Sequence, residues 1–270
     1  IVSPGTCTLA ANQTGNSNYS AATQVTRTIA ITGIASTISI SDTTTAFTYT
    51  GLAQGPSTSA TSGSTGTVTY SYQGRLSTTY GPSATKPTNA GTYTVTATVA
   101  ASGNYAGASS SSVDFEISKA ALTITSSSHT VTYGDAIPTI TASYAGLVNS
   151  ESSSVISGQS CVTTYSTSSS AGTPQSTSCS GGTSSNYLVT YVAGSVTVNT
   201  KTLTITGLSG SNKEFNGSRV GTATGTPTLV GKVGSDDVLL SGTPTFTFAS
   251  ANAANGISLV ASGYTLTGTT

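Results

Sequence analysis

Apolar and polar residues alternate along this chain with a period of two. Tyr93, Val95, Ala97 and Val99 alternate with Thr92, Thr94, Thr96 and Thr98, so one face turns to a core and the other to water. Val113, Phe115 and Ile117 repeat the pattern, as do Val68, Tyr70 and Tyr72. Clusters of Gly, Pro and Asn, such as Lys86-Pro87-Thr88-Asn89-Ala90-Gly91, separate the runs as turns. No helical stripe of useful length competes. The pattern predicts an all-β fold built from short strands.

The strands recur in a larger period. An Asn-Tyr pair stands at Asn18-Tyr19, Asn104-Tyr105 and Asn186-Tyr187, at steps of 86 and 82 residues. A second marker keeps the same phase: Tyr49 (in Phe47-Thr48-Tyr49-Thr50-Gly51), Tyr133 (in Val131-Thr132-Tyr133-Gly134-Asp135) and Phe215 (in Glu214-Phe215-Asn216-Gly217). Two markers in one register are hard to obtain from low complexity alone. The spacing divides the chain into residues 1–35, the C-terminal part of a repeat; 36–118 and 119–200, complete repeats; and 201–270, a repeat truncated at its C-terminal end. By the same spacing the next Asn-Tyr falls just beyond Thr270.

A repeat of about 82 residues with six or seven short strands fits a small Ig-like β-sandwich. For 119–200 the alternative is a β-grasp-like sheet, with Tyr144-Ala145-Gly146-Leu147 in a turn of helix. The links Ser118-Lys119-Ala120-Ala121 and Asn199-Thr200-Lys201 are too short to act as flexible tethers. Tandem repeats in an extended, semi-rigid rod are therefore expected.

Composition narrows the setting. The 8 basic and 8 acidic side chains cancel, which gives no pull toward nucleic acid or an anionic membrane surface. Ser and Thr exceed a third of the chain, but they alternate with Val, Ile, Leu and Tyr, as strand residues do. No run of about 20 apolar residues is present, so no membrane span is expected in this window. Ile1-Val2-Ser3-Pro4-Gly5 reads as a loop, and any export signal would lie outside it. Cys161 and Cys179 sit at the edges of alternating segments around a turn-rich stretch, and are read as a disulfide of an exported protein. Cys7 has no partner within this window.

Candidate chemistry is sparse. His129 is the one histidine, in Ser126-Ser127-Ser128-His129-Thr130, and is read as an exposed strand residue rather than a zinc ligand. Asp236-Asp237 is the one adjacent acidic pair; calcium needs six to eight oxygens, so a solvated turn is the preferred reading. A Lys–Asn isopeptide bond near Lys119, Glu116 and Lys213 is a minor alternative. The sequons at Asn12, Asn18 and Asn216 are read as incidental. No catalytic residue, metal or cofactor is expected, and no enzyme.

Residues 119–199 carry Val131-Thr132-Tyr133-Gly134-Asp135, Gly146-Leu147, Asn186-Tyr187 and the closing Gly194-Ser195-Val196-Thr197-Val198. In these motifs they resemble the YGX-type MBG domain of bacterial surface proteins. Residues 201–270 resemble the YDG domain: Lys213-Glu214-Phe215-Asn216-Gly217 stands where that family has K-x-Y-D-G, and Gly234-Ser235-Asp236-Asp237-Val238 where it has G-D-D-V. Phe for Tyr and Asn for Asp are departures. Residues 36–118 resemble a related MBG- or Ig-like type. The resemblance implies an extracellular repeat segment of a bacterial surface protein or secreted filament, with markers at turns and core positions. Its expected partners are neighbouring repeats, then identical chains in a filament, or host or environmental glycans. The functions implied are a semi-rigid stalk or adhesin segment, a filament or sheath subunit, or a carbohydrate-binding module, in that order.

Overall fold

A computed structural model describes residues 3–268. These residues are nearly all strand and loop, and their one helical element is a single 3-10 turn at Ser153–Val155. They form two compact units that do not follow the repeat boundaries. Among the described residues the first holds 3–124, Ser143–Ser160 and Ser180–Val192; the second holds Thr125–Ala142, Cys161–Cys179 and 193–268.

The first unit opens with a hairpin of β1 (Gly5–Ala11) and β2 (Val25–Ile31), antiparallel and exposed on both strands. β3 (Thr37–Ile40), β4 (Ala46–Thr48), β5 (Ser59–Ser62), β6 (Val68–Gly74), β7 (Gly91–Val99), β8 (Ala108–Ser109) and β9 (Val113–Ser118) then make two sheets. β3 pairs with β5, while the larger sheet runs β4-β9-β7-β6, with β8 on β7. Ile38 of β3 packs on Ala97 and Val99 of β7, joining the two sheets through a dry contact. Tyr93, Val95, Ala97 and Val99 are all at most 1% exposed, so the period-two pattern assigns the core face of β7 correctly.

Aromatic rings fill the other half of this core. Phe115 stacks on Tyr93 at 5.4 Å and meets Tyr72 and Phe47 edge-on, at 6.2 and 5.9 Å. Buried tyrosines need a partner for the hydroxyl. Tyr72 donates to the Pro56 carbonyl and Tyr93 to that of Asn89, both at 2.7 Å. The exposed Arg75–Asp114 pair adds little beside this burial.

Residues 119–200 contribute to both units. β10 (Ala120–Ser126) is the centre of the sheet β12-β10-β15, with β12 (Ala142–Ala145) and β15 (Tyr187–Val192) beside it; this sheet falls mainly in the first unit. β11 (His129–Thr132), β13 (Ser160–Thr163), β14 (Gln175–Ser180) and β16 (Gly194–Asn199) form the sheet β11-β16-β14-β13 of the second unit. Its order matches β4-β9-β7-β6. In each sheet the closing strand lies parallel to the strand before the Tyr marker and antiparallel to the strand before the Asn-Tyr pair. Tyr165, Val196 and Val198 form the small core here.

The β-grasp alternative is corrected by this structure. Tyr144 and Ala145 end strand β12, and no α-helix occurs among the described residues. Their alternating exposure, with polar neighbours Ser143 and Thr141, suits a sheet edge better than a helical turn. In the last repeat, β17 (Thr204–Gly210) pairs with β18 (Ala223–Val230), and β19 (Leu239–Phe248) with β20 (Leu259–Thr267).

The second unit has few buried residues and carries the disulfide Cys161–Cys179, between β13 and β14, at a sequence separation of 18. Closing a loop of that size stabilises a fold by about 3 kcal/mol in the chain-entropy model. Reduction is expected to lower the thermal midpoint of this unit while leaving the transition of the first unit in place. Differential scanning calorimetry with and without reductant checks this; unchanged transitions would show that the bridge adds no stability.

Candidate functional site: the inter-repeat contacts

The chemistry of the chain gathers where one repeat meets the next. Tyr49 follows β4 and is 4% exposed, although it closes a strand rather than sitting inside one. Its amide donates to Ser118 O at 2.8 Å, which fixes it at the end of the repeat. Its hydroxyl donates to Glu151 Oε1 of the following repeat at 2.6 Å. Tyr187, 2% exposed, donates to the other carboxylate oxygen of Glu151, and its ring meets Tyr49 edge-on at 5.5 Å. One carboxylate thus satisfies two buried phenols. Charged acceptors make the stronger hydrogen bonds.

The second marker repeats the arrangement. Tyr133, at the end of β11, donates through its backbone amide to Asn199 O at 2.9 Å and through its hydroxyl to Asp236 Oδ1 at 3.1 Å. The tyrosine and its carboxylate stand 102 residues apart in the first case and 103 in the second. The two contacts are one device used twice.

Glycine is required in both turns. Gly51 has φ +74°, and a Cβ there would lie 2.6 Å from Asn149 Cβ; Gly134 has φ +85°, and a Cβ there would lie 2.4 Å from Val233 Cγ2. A side chain would hold the loops apart even if the strained backbone were tolerated. Asn149 also donates from Nδ2 to Gly51 O at 3.2 Å. Beside the second contact lies a cavity of about 360 Å3, lined in part by Tyr133, Lys201, Leu203, Lys232 and Val233.

The Asn-Tyr markers serve the same junctions. Asn186 accepts the amide of Ala90 at 3.0 Å and donates to Asn89 Oδ1 at 3.1 Å, both in the preceding repeat. Its carbonyl accepts from Ala120 N at the start of its own repeat, and the Asn104 carbonyl accepts from Ile34 N at the end of the preceding one. The copies differ in burial: Tyr187 is enclosed, Tyr105 is 38% exposed and Tyr19, beside Asn18, is 75% exposed. Phe215 is 69% exposed and has no hydroxyl to donate, and a Cβ at Gly217 would meet nothing within 4 Å.

Other candidate residues fall outside these contacts. Cys7 is an exposed free thiol. His129 is half-buried rather than exposed, and its Nε2 lies 2.9 Å from Ser127 Oγ. Lys119 and Lys213 aim their amines at backbone carbonyls, those of Ser184 and of Ser218 and Val220. Asp236 is held by Tyr133 instead of lying in a merely solvated turn.

Residues 122–197 match the MBG domain (YGX type), and residues 199–270 match the YDG domain. These two segments are an MBG domain and a YDG domain in tandem. No curated protein matches it. The first contact therefore joins residues 36–118 to the MBG domain, and the second joins the MBG domain to the YDG domain. Sequence reasoning found Tyr49, Tyr133 and Tyr187 as markers but did not connect them to Glu151, Asn149 or Asp236. The available signal was scarcity. With eight acids in the whole chain, a carboxylate at matching distance after each marker is informative.

Burial and the bond to Glu151 push the Tyr49 hydroxyl up to about 12, and burial does most to raise Tyr187. The bond to Asp236 raises Tyr133. These folded-state hydroxyls hold their protons above the ordinary tyrosine value of 10.0. Their contribution to stability is thus complete below pH 10 and is lost as the pH rises to about 12. Alkaline titration followed by circular dichroism is expected to show cooperative unfolding in that window. Glu151→Ala, which strands two buried phenols, is expected to cost about 2 kcal/mol in denaturant unfolding. Gly134→Ala is expected to disturb the second contact more than Gly217→Ala disturbs its own turn, which amide hydrogen exchange at Val233–Asp236 would read.

Proposed function

We propose that this chain is a segment of a large extracellular bacterial surface protein, in which successive repeats act as a semi-rigid stalk. The observation that carries the reading is the doubled tyrosine–carboxylate contact between consecutive repeats. A flexible tether would leave neighbouring repeats free, whereas here the link is three or four residues long and side chains bridge it. The function is mechanical and positional, not catalytic. Membership of the MBG and YDG families supports a surface repeat, and the disulfide supports an oxidising, extracellular setting. No helix among the described residues is long and apolar enough to cross a membrane.

Electron microscopy of the purified chain tests this reading. Single rods of constant curvature are expected, and a Tyr49→Phe, Glu151→Gln, Tyr133→Phe variant should give a wider spread of bend angles. Ordered fibres of constant width would point instead to a filament subunit, and a compact globule would overturn both.

A further inference from the structure

Asn216 occupies a marker turn that differs chemically from its two counterparts. It precedes Gly217, which is exposed, has φ +74° and has no atom within 4 Å of a Cβ position. The Ser218 amide donates to Asn216 Oδ1 at 3.1 Å. That bond ties the side-chain oxygen to the backbone of the turn two residues on. Lys213 Nζ donates to the carbonyls of Ser218, at 2.7 Å, and Val220, at 2.8 Å, and Ser218 Oγ accepts from Val220 N at 3.2 Å. Four hydrogen bonds therefore hold the eight-residue turn from Lys213 to Val220 in one shape.

We propose that Asn216 is a site of spontaneous, structure-assisted deamidation. The Gly217 amide gives its proton to a water-borne base, and its nitrogen attacks Asn216 Cγ. A new C–N bond forms, the Cγ–Nδ2 bond breaks, and Nδ2 leaves as ammonia after taking a proton. The five-membered imide then adds water at either carbonyl, opening to aspartate or isoaspartate. Net consumption is one water and net release one ammonia, with no oxidant, reductant or cofactor. The residue after Asn carries no side chain to obstruct the attack. The Ser218 N–H points at the oxygen on which negative charge develops, which is where a donor accelerates such a step.

The product has consequences for the surface. A carboxylate appears in the turn beside Lys213, and a chain of 8 basic and 8 acidic side chains becomes net negative. The isoaspartate product also lengthens the backbone at the turn. The other two marker turns have no such Asn-Gly pair: they read Tyr49-Thr50-Gly51 and Tyr133-Gly134. The modified turn is thus a third copy of the element that elsewhere receives a neighbouring repeat.

Asn255-Gly256 provides an internal comparison. Gly256 has φ +71° and an equally open Cβ position, but no hydrogen bond to the Asn255 side-chain oxygen occurs among the described residues. The full chain is incubated at neutral to mildly alkaline pH, and each site is followed by peptide mapping, with enzymatic isoaspartate detection. Asn216 is expected to convert about tenfold faster than Asn255, because the donor acts in an open, wet turn rather than an enclosed site. It is also expected to convert faster in the folded chain than in the same chain held in urea. Ser218→Pro, which removes the amide donor but keeps Asn-Gly, should bring Asn216 down to the Asn255 rate. Equal rates at the two sites, or faster conversion of Asn216 in urea, would overturn the proposal. An Asn216→Gln chain, which should release no ammonia from this turn, guards against a folding artefact of the proline variant.

Discussion

The structure depends on a tyrosine hydroxyl reaching a carboxylate about a hundred residues away. Tyr49 on Glu151 and Tyr133 on Asp236 are placed alike: the tyrosine stands at the end of a short strand and a left-handed glycine follows it. The strand fixes the tyrosine backbone through one amide bond to the closing strand of its own repeat. With its backbone committed to one repeat, the side chain is free to serve the next. The glycine then lets the neighbouring loop come close enough for the hydroxyl to reach. Each feature is weak alone. Together they turn a short covalent link into a defined contact.

This explains why the compact units and the sequence repeats divide the chain differently. The loop around Glu151 and the Asn186-Tyr187 pair belong to the MBG repeat by sequence, yet their hydrogen bonds run to Tyr49, Gly51, Asn89 and Ala90. The segments around Tyr133 and Asp135 bond within the second unit, to Asp236, Asn199 and Tyr165. A core of this size cannot bury much apolar surface. In such a chain, contacts between repeats add to the cohesion that contacts within them supply, as the nearest-neighbour picture of repeat proteins requires.

The fold was legible in the sequence wherever one strand face was buried. Along β7 every alternate residue from Tyr93 to Val99 is in the core, and along β9 Phe115 and Ile117 are, because a one-residue slip would have turned the whole set to water. The helical turn of the alternative reading at Tyr144–Leu147 fails for the complementary reason: four residues do not define a period, and Tyr144 and Ala145 are in strand β12. The inter-repeat contacts were only half legible. Recurrence of Tyr49, Tyr133 and Phe215 exposed one partner, since markers in a fixed register stand out. The other partner is a single acid in a loop, and no local periodicity announces a contact made across a hundred residues.

The third marker differs in the atom that does the reaching. Phe215 keeps the ring but not the hydroxyl, and Gly217 keeps the left-handed turn. Substituting Phe for Tyr removes the one atom that can donate to a carboxylate, while the ring's apolar area is retained. A loop docking on this turn would bury the ring and gain from dispersion, but nothing would choose an acid over another small residue. The hydroxyl therefore supplies selectivity for the partner loop more than raw adhesion. On this argument the order of repeats in such an array is written in which marker carries an oxygen and which following loop carries an acid, two features that can change independently of the strands that hold them.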